Sequence, residues 1–168
     1  MTTQSDDLKK LHSLIKDINF AMMTTIASDG QLRSRPMATR LEGDEFDGTL
    51  WFFTHAHEPK VHEILENENV NLSYADPGRN DYVSVSGSAT LVKDKAKAKE
   101  LWSPLYKAWF PKGLDDPDLA LIRVDIKKAE YWDSPNSKMV QLAGFVKALV
   151  TGRPAEGGEN EKIDLRAS

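Results

Sequence analysis

The sequence predicts a mainly β (α+β) fold, a six-stranded antiparallel barrel with flanking helices. Three observations support this prediction. Six segments have the composition or the alternation of strands, turn residues join several of them over short connections, and apolar helical segments lie between them and near both ends of the chain. Consecutive strands with short connections tend to pair antiparallel, and several short strands of this kind favour a small barrel.

The first half of the chain predicts one helix and then a meander of three strands. Apolar residues recur at helical spacing from Leu8 to Ile18, so this opening segment is predicted to form a helix that lies against the body of the domain. The turn Ser28-Asp29-Gly30 joins the first two strands into a hairpin. The three strands are predicted at 20–26, 31–40 and 49–54.

The second half predicts three more strands with helices inserted between them. In the strand at 82–92, apolar residues take one face and hydroxyl side chains take most of the other. Proline after a capping residue marks helix starts at Ser103-Pro104 and Ser134-Pro135. The strands are predicted at 70–75, 82–92 and 119–132, and the helices at about 58–67, 94–102, from 103 and from 134.

Length and composition favour one domain. A chain of 168 residues with 40% hydrophobic content is long enough to bury a core. We expect a single domain over 1–155 and a flexible C-terminal tail over 156–168. The absence of cysteine excludes disulfides, thiol chemistry and thiolate metal sites.

Charge and hydropathy limit the partners. A net charge of −4 argues against broad nucleic-acid binding, which needs a cationic surface. The N-terminus is polar, and no apolar run approaches the ~20 residues that span a bilayer. We expect a soluble cytoplasmic protein that binds neither nucleic acid nor membrane.

The segment from Trp51 to Leu65 has the chemistry of an anion site. An aromatic strand runs into a helix start, and Pro59 suits the first helical position because its missing N–H would be unpaired there. The free N–H groups of a helix start attract anions. With the Thr54 hydroxyl and the Lys60 ammonium nearby, this pattern predicts a phosphate site. The alternative is an ordinary helix start with a solvated lysine.

Arginines on the second strand could contribute to the same site. Arg33 and Arg35 share a face by strand period, whereas Arg40 has the opposite parity unless a bulge re-aims it. Pro36 cannot donate to a ladder, so this strand is predicted at an edge or as locally irregular. An arginine fork beside Lys60 would bind a phosphate dianion. The alternative is a set of arginines on a solvated face.

Four ordered segments resemble a known family. RPMATR at 35–40, Phe53-Thr54 ahead of Lys60, YVSVSG at 82–87 and EYW at 130–132 resemble the flavin-binding segments of the pyridoxamine 5′-phosphate oxidase-like split barrels. The resemblance covers about residues 6 to 165. The SRPM form at 34–37, the short length and GGEN at 157–160 are similar to the general stress protein branch.

The resemblance implies a split barrel that binds FMN, or FAD as the alternative flavin, at the interface of a homodimer. Arg35 and Arg40 match the ends of a segment that contacts the phosphate and the ring. Thr54 and Lys60 match phosphate contacts, and Tyr82 stands at a position that the partner subunit supplies. The implied flavin-binding residues are Arg35, Met37, Ala38, Arg40, Phe53, Thr54, Lys60, Tyr82 and Trp132.

Three departures weaken any extension to the vitamin B6 oxidase itself. Pro59 and Leu142 replace arginines that the oxidases use near the flavin. Lys138 takes the place of an arginine that holds the vitamin substrate, which changes a bidentate fork into a point charge. Lys138 stays a candidate substrate-binding residue, but vitamin oxidation is not expected.

No catalytic residue or metal site is assigned. His55, His57 and His62 lack a carboxylate at an obvious ligand spacing, so no metal is expected. The sequence favours a stress-related flavin-dependent oxidoreductase of unknown substrate. The alternatives are a non-catalytic flavin store or sensor, a binder of another phosphorylated or tetrapyrrole ligand, and a plain dimeric scaffold.

Overall fold

The computed structural model describes residues 3–43, 45–133, 138–154 and 158–166, with the side chains of 138–144 excluded. In these residues the helices are α1 (Gln4–Ile15), α2 (Pro59–Glu66), α3 (Lys95–Leu101) and α4 (Lys138–Thr151), with short 3₁₀ segments at Pro104–Ala108 and Gly113–Asp115. The strands are β1 (Phe20–Ile26), β2 (Leu32–Ala38), β3 (Thr49–His55), β4 (Asn69–Asp76), β5 (Asp81–Val92), β6 (Leu119–Asp133) and β7 (Glu159–Asp164).

Six of the strands form a curled antiparallel sheet in the order β2-β1-β4-β5-β6-β3. The two outer strands meet where Arg40 pairs with Trp51 through backbone hydrogen bonds of 2.8 and 3.0 Å. This single bridge closes the sheet as a split barrel, so the predicted fold class is confirmed. Pro36 lies on β2, which stands at one end of the order, in agreement with its predicted edge position.

One edge of β6 pairs with two different strands in succession. Its first half pairs with β3 through residues 119–125, and its second half pairs with β7 through residues 128–133. Ile163 of β7 is buried opposite Ala129. The structure therefore places a seventh strand inside the segment that the sequence predicts as a flexible tail, while the domain boundary at 155 stays a prediction. The predicted helix start at 134–135 lies outside the described residues.

The core consists of two clusters on opposite faces of β3. Leu50 and Phe52 point into the barrel, where they join the larger cluster. Trp51 and Phe53 point outward and pack under α3 and the 3₁₀ segment Pro104–Ala108. Because successive side chains of a strand alternate between faces, this one strand joins the barrel interior to an aromatic layer outside it.

A bulge in β5 depends on a glycine. The register between β5 and β6 shifts at Ser86 and Gly87. A Cβ atom on Gly87 would lie 2.5 Å from the backbone oxygen of Asp125, which is closer than van der Waals contact allows. Glycine therefore permits the close approach of the two strands at this point.

The helices flank the barrel. α1 begins with a capping box between Thr3 and Asp6 and buries Leu11, Leu14 and Ile15. Among the described side chains of α4, four apolar ones are exposed, namely Phe145, Val146, Leu149 and Val150. Within the described residues, every helix is too short or too polar to span a lipid bilayer.

Candidate functional site

A cavity of about 250 Å³ lies at the seam of the barrel, where the ends of β1, β2 and β3 meet the start of α2 and the 3₁₀ segment. We call it the aromatic cavity. Five aromatic residues line it, namely Phe20, Phe53, Tyr106, Trp109 and Phe110. Pro36, Met37 and Ala38 of β2 form another side, and His55, Glu58 and Lys60 form a polar end.

The rings pack against one another mainly in tilted arrangements. Phe53 contacts Tyr106 with ring centroids 5.1 Å apart, and Trp109 meets Phe20 at 6.1 Å. Such tilted arrangements are the favoured geometry of aromatic pairs. Burial raises the pKa of Tyr106, against the opposing charge of Arg40, so its phenol stays protonated at neutral pH. Trp109 is half exposed at the mouth of the cavity.

The polar end contains one buried cation. Lys60 is 8% exposed, and its ammonium forms an ion pair with the carboxylate of Glu58. Glu58 also lies 3.4 Å from Nδ1 of His55, whose Nε2 lies 3.5 Å from Asp116. Burial opposes the ionisation of Glu58, but the contacts with Lys60 and His55 outweigh it and lower the pKa of the carboxyl. Glu58 is therefore ionised at neutral pH.

Arg35 points away from the aromatic cavity and into a polar network with α2. Its guanidinium donates to the Thr25 hydroxyl at 2.6 Å and to Glu63 at 3.1 Å. Thr25 donates to the same carboxylate, and Arg33 lies 3.7 Å from it. Arg33 and Arg35 thus share a face, as predicted. Glu63 stands one turn after Lys60 on α2.

Arg40 and Thr54 lie beside the cavity without lining it. Nε of Arg40 donates to the carbonyl of Leu101 at 2.9 Å, and the guanidinium lies 6.0 Å from the Tyr106 ring. Thr54 is fully buried and donates to the carbonyl of His55 at 3.2 Å. The alternation of β3 places Thr54 on the barrel face, opposite Phe53. Their contacts with a flavin stay predictions.

Tyr82 and Trp132 lie next to each other, away from the aromatic cavity. They are cross-strand neighbours on β5 and β6, and they are 41% and 42% exposed. Neither lines the aromatic cavity. The structure therefore brings together Met37, Ala38, Phe53 and Lys60 of the predicted residues and leaves these two apart. The side chain of Lys138 lies outside the described residues.

Seven cavity residues were not among the predicted site residues. Tyr106, Trp109 and Phe110 belong to a segment whose aromatic face is visible in the sequence, but nothing local indicates what that face packs against. Glu58 stands directly before Pro59 and has no motif of its own. The others are Phe20, Pro36 and His55.

Two of the histidines, His55 and His57, pair with carboxylates. His57 contacts Asp118 at the surface, and His55 lies between Glu58 and Asp116. Within the part of the chain that the structure describes, no group of three or more His, Cys, Asp or Glu side chains is arranged to hold a metal ion.

A second depression of about 450 Å³ lies on the outer face of β1, β4 and β5. It is larger and more open than the aromatic cavity. Its described lining includes Lys127, Lys128 and Arg166 but no aromatic residue. The aromatic cavity is the better candidate for a planar ligand, because flat rings bind best between aromatic and apolar surfaces.

Comparisons with known proteins show the family of the chain. Residues 6–156 match the family model described as pyridoxamine 5′-phosphate oxidase like. Protein bli-3 of Neurospora crassa is 32% identical over 158 residues, covering 88% of this chain and 75% of that protein.

Two solved structures extend the comparison. A protein named as a general stress protein 26 from Jannaschia sp. CCS1 superposes with a TM-score of 0.77 at 22% identity, covering 96% of this chain and 100% of the other. The general stress FMN/FAD binding protein of Xanthomonas citri has a TM-score of 0.67 at 30% identity, covering 78% of this chain and 89% of the other.

Proposed function

Because the chain belongs to the pyridoxamine 5′-phosphate oxidase-like family, we propose that it is a flavoprotein whose aromatic cavity binds FMN. The observation that carries this proposal is the juxtaposition of aromatic walls with the buried lysine Lys60. A flavin has the same two parts, a planar ring and a phosphate. The ring packs on the aromatic and β2 sides, and the phosphate binds at the polar end.

The chemistry of the lining suits each part of this ligand. Phe53, Tyr106 and Trp109 offer ring faces and edges, and aromatic pairs gain energy beyond the area that they bury. The Lys60 ammonium forms charge-assisted hydrogen bonds with phosphate oxygens, which are stronger than neutral ones. Glu58 is the one side chain of this end with the wrong charge for a phosphate.

The size of the cavity supports a homodimer. Pockets for small ligands commonly measure ~300 to 1,000 Å³, whereas the aromatic cavity measures about 250 Å³ in one chain. Tyr82 and Trp132, which match positions near the flavin in the family, are exposed outside it. We infer that a second copy of the chain supplies these two residues and completes the site. The exposed apolar side chains of α4 are consistent with coverage by that copy.

The expected activity is that of a flavin-dependent oxidoreductase. A bound flavin would supply the redox chemistry by exchanging a hydride or single electrons, and the protein would bind and orient it. Lys60 would hold the phosphate, and the apolar rings would exclude water from the flavin. Vitamin B6 oxidation is not proposed, because Pro59 and Leu142 stand where the oxidases use arginines.

A second candidate is a non-catalytic flavin-binding protein. The Xanthomonas citri protein, 30% identical to this chain, is described as FMN/FAD binding rather than by a reaction. This chain would then store or sense a flavin, and FAD would be an alternative ligand to FMN.

Flavin binding is tested by titrating the purified protein with FMN, FAD and riboflavin while flavin fluorescence is recorded. We expect FMN to bind with one flavin per chain. A protein that is colourless as purified and leaves FMN fluorescence unchanged would overturn the proposal. Displacement of FMN by a tetrapyrrole would favour a different natural ligand.

Turnover separates the two candidates. The FMN-loaded protein is mixed anaerobically with NADH or NADPH, and the bleaching of the flavin absorbance is followed by stopped flow. Reduction followed by reoxidation with an electron acceptor supports an oxidoreductase. A bound flavin that neither nucleotide reduces supports the store or sensor.

A further inference from the structure

The cationic charge of the aromatic cavity comes from one side chain. Lys60 is the only lysine or arginine among the described residues that line it. Arg35 and Arg40, the other cations of the predicted phosphate site, are bound to Glu63 and to the Leu101 carbonyl. The affinity of the cavity for a phosphate therefore depends on how available the Lys60 ammonium is.

The Lys60 ammonium already has an anionic partner in Glu58. Its carboxylate pairs with Lys60 at the polar end, where the ligand phosphate would bind. Two anions that compete for one cation at this distance repel each other, and the low polarity of the neighbouring rings strengthens the repulsion. The Lys60 ammonium has three N–H donors, but a phosphate binds it more favourably when Glu58 has moved away, because the two anions then no longer repel each other.

The surroundings of Glu58 allow this movement. The side chain of Glu58 is 34% exposed, whereas that of Lys60 is 10% exposed, so the carboxylate has solvent-filled space into which it can turn. Glu58 has a second neighbour in His55, at 3.4 Å, which it can keep after it leaves Lys60.

Helix capping does not account for the Glu58 carboxylate. It is the N-cap residue of α2, but its side chain makes no capping hydrogen bond, so the helix start does not depend on the carboxylate. Glu63 differs, because it is 7% exposed and is held by Arg35 and Thr25. Glu63 is thus buried and held by two residues of the barrel, whereas the side chain of Glu58 is partly exposed.

We propose that Glu58 is a built-in competitor of the ligand phosphate, which occupies Lys60 in the empty cavity and lowers the affinity for phosphorylated flavins. This inference rests on the proposed flavin function and adds a residue that sets specificity. Glu58 disfavours FMN selectively, because riboflavin has the same ring and no phosphate. The cavity therefore discriminates less between FMN and riboflavin than a free lysine would.

The test compares Glu58→Gln with the wild-type protein in titrations with FMN and with riboflavin. We expect FMN to bind about tenfold more tightly to the variant, in line with the release of one charge-assisted contact, while riboflavin affinity stays within about twofold. Glu58→Ala, which also removes the hydrogen-bonding oxygen, changes FMN affinity in the same direction. The matched control is Glu66→Gln, which removes an exposed carboxylate at the other end of α2 and leaves both affinities unchanged.

Two outcomes overturn the competitor role. One is FMN affinity that is unchanged or weaker in both Glu58 variants, and the other is an equal gain for riboflavin. A separate measurement needs no flavin: the rise in Tm produced by inorganic phosphate, at constant ionic strength set with chloride, is larger for Glu58→Gln than for wild type. If this rise occurs while neither flavin binds, the flavin function fails and the competitor role stands. If flavins bind while the Glu58 variants behave as wild type, the flavin function stands and the competitor role fails.

Discussion

The guanidinium of Arg35 on β2 donates a hydrogen bond of 3.1 Å to the carboxylate of Glu63 on α2. Their side chains are 22% and 9% exposed. The resemblance places Arg35 at one end of a segment that contacts the flavin phosphate and ring, and that role stays a prediction. In the structure the guanidinium links β2 to α2. Arg35 therefore has a structural partner within the chain itself.

Replacing Arg35 by methionine is expected to destabilise the fold. The Glu63 carboxylate would stay buried without its main cation, and the loss of one partner of a buried pair costs about 3 kcal/mol. Urea denaturation measures the change in the free energy of unfolding. Arg33→Met is the control, because Arg33 is 56% exposed and 3.7 Å away, and its loss should cost under ~1 kcal/mol. Equal losses for the two variants would contradict the assigned role of Arg35.

Replacing both partners is expected to recover stability. In Arg35→Met/Glu63→Met no charge is left buried without a partner, so the double variant should be more stable than Arg35→Met alone. A double variant less stable than the single one would show that Glu63 is not the group left unpaired.

Replacing Trp109 by alanine is expected to weaken flavin binding with little effect on the fold. Trp109 is 54% exposed at the mouth of the cavity, so its ring contributes more to a ligand than to the core. FMN and riboflavin should both lose about five- to tenfold in affinity, since a ring contact contributes ~0.5 to 1.5 kcal/mol beyond area. Fluorescence titration measures both. Leu105→Ala, in the same segment and 79% exposed, should leave both affinities unchanged; a loss in FMN alone would argue against ring contact.

A mixture of two variants that each fail to bind FMN is expected to regain FMN binding if the flavin site spans two chains. Lys60→Met removes the proposed phosphate contact, and Trp132→Ala removes a residue that we propose the partner copy supplies. Co-refolded chains form mixed dimers in which one site is intact, so about one quarter of the sites should bind FMN again. Fluorescence titration measures this fraction.

The control for the mixture is Lys60→Met combined with the double variant Lys60→Met/Trp132→Ala, which has no intact site in any pairing. If each single variant has lost FMN binding and the first mixture does not regain it, the site is not shared between two chains.

Replacing Gly87 by alanine is expected to destabilise the barrel by about 2 kcal/mol or more. The new Cβ would lie 2.5 Å from the Asp125 backbone oxygen, so β5 and β6 must separate. Thermal unfolding measures the loss. Gly78→Ala is the matched control, because its Cβ would meet only the side-chain oxygen of Asp76, at 3.3 Å, which can move. A similar Tm for the two variants would contradict the close approach at the bulge.

Local patterns predicted the strands of the barrel well. The alternation of apolar and polar residues in β4 and β5 reflects burial of one face, and the aromatic content of β3 reflects burial of both faces. Both patterns can be read from the residues of the strand alone. β7 was missed because Glu159–Asp164 has one apolar residue, Ile163. Its pairing depends on the free edge of β6 beyond Asp125, which is a property of the assembled sheet.

The candidate site was predictable where its chemistry is local. Phe53 and Lys60 stand a few residues apart, and both line the cavity. Tyr106 reaches them from a segment that comes more than forty residues later in the chain. The pairing of Arg35 with Glu63 depends on which way two side chains turn when β2 meets α2, and strand period indicates only a face.

The pairing of β7 with β6 also protects the protein against self-association through open sheet edges. Without β7, residues 128–133 would present unpaired N–H and C=O groups, which are a template for strands of other molecules. β7 covers this edge with a mostly polar strand in which only Ile163 is buried. The C-terminal segment thus covers an edge that would otherwise pair with strands of other molecules, and its polar side chains keep the new outer edge solvated.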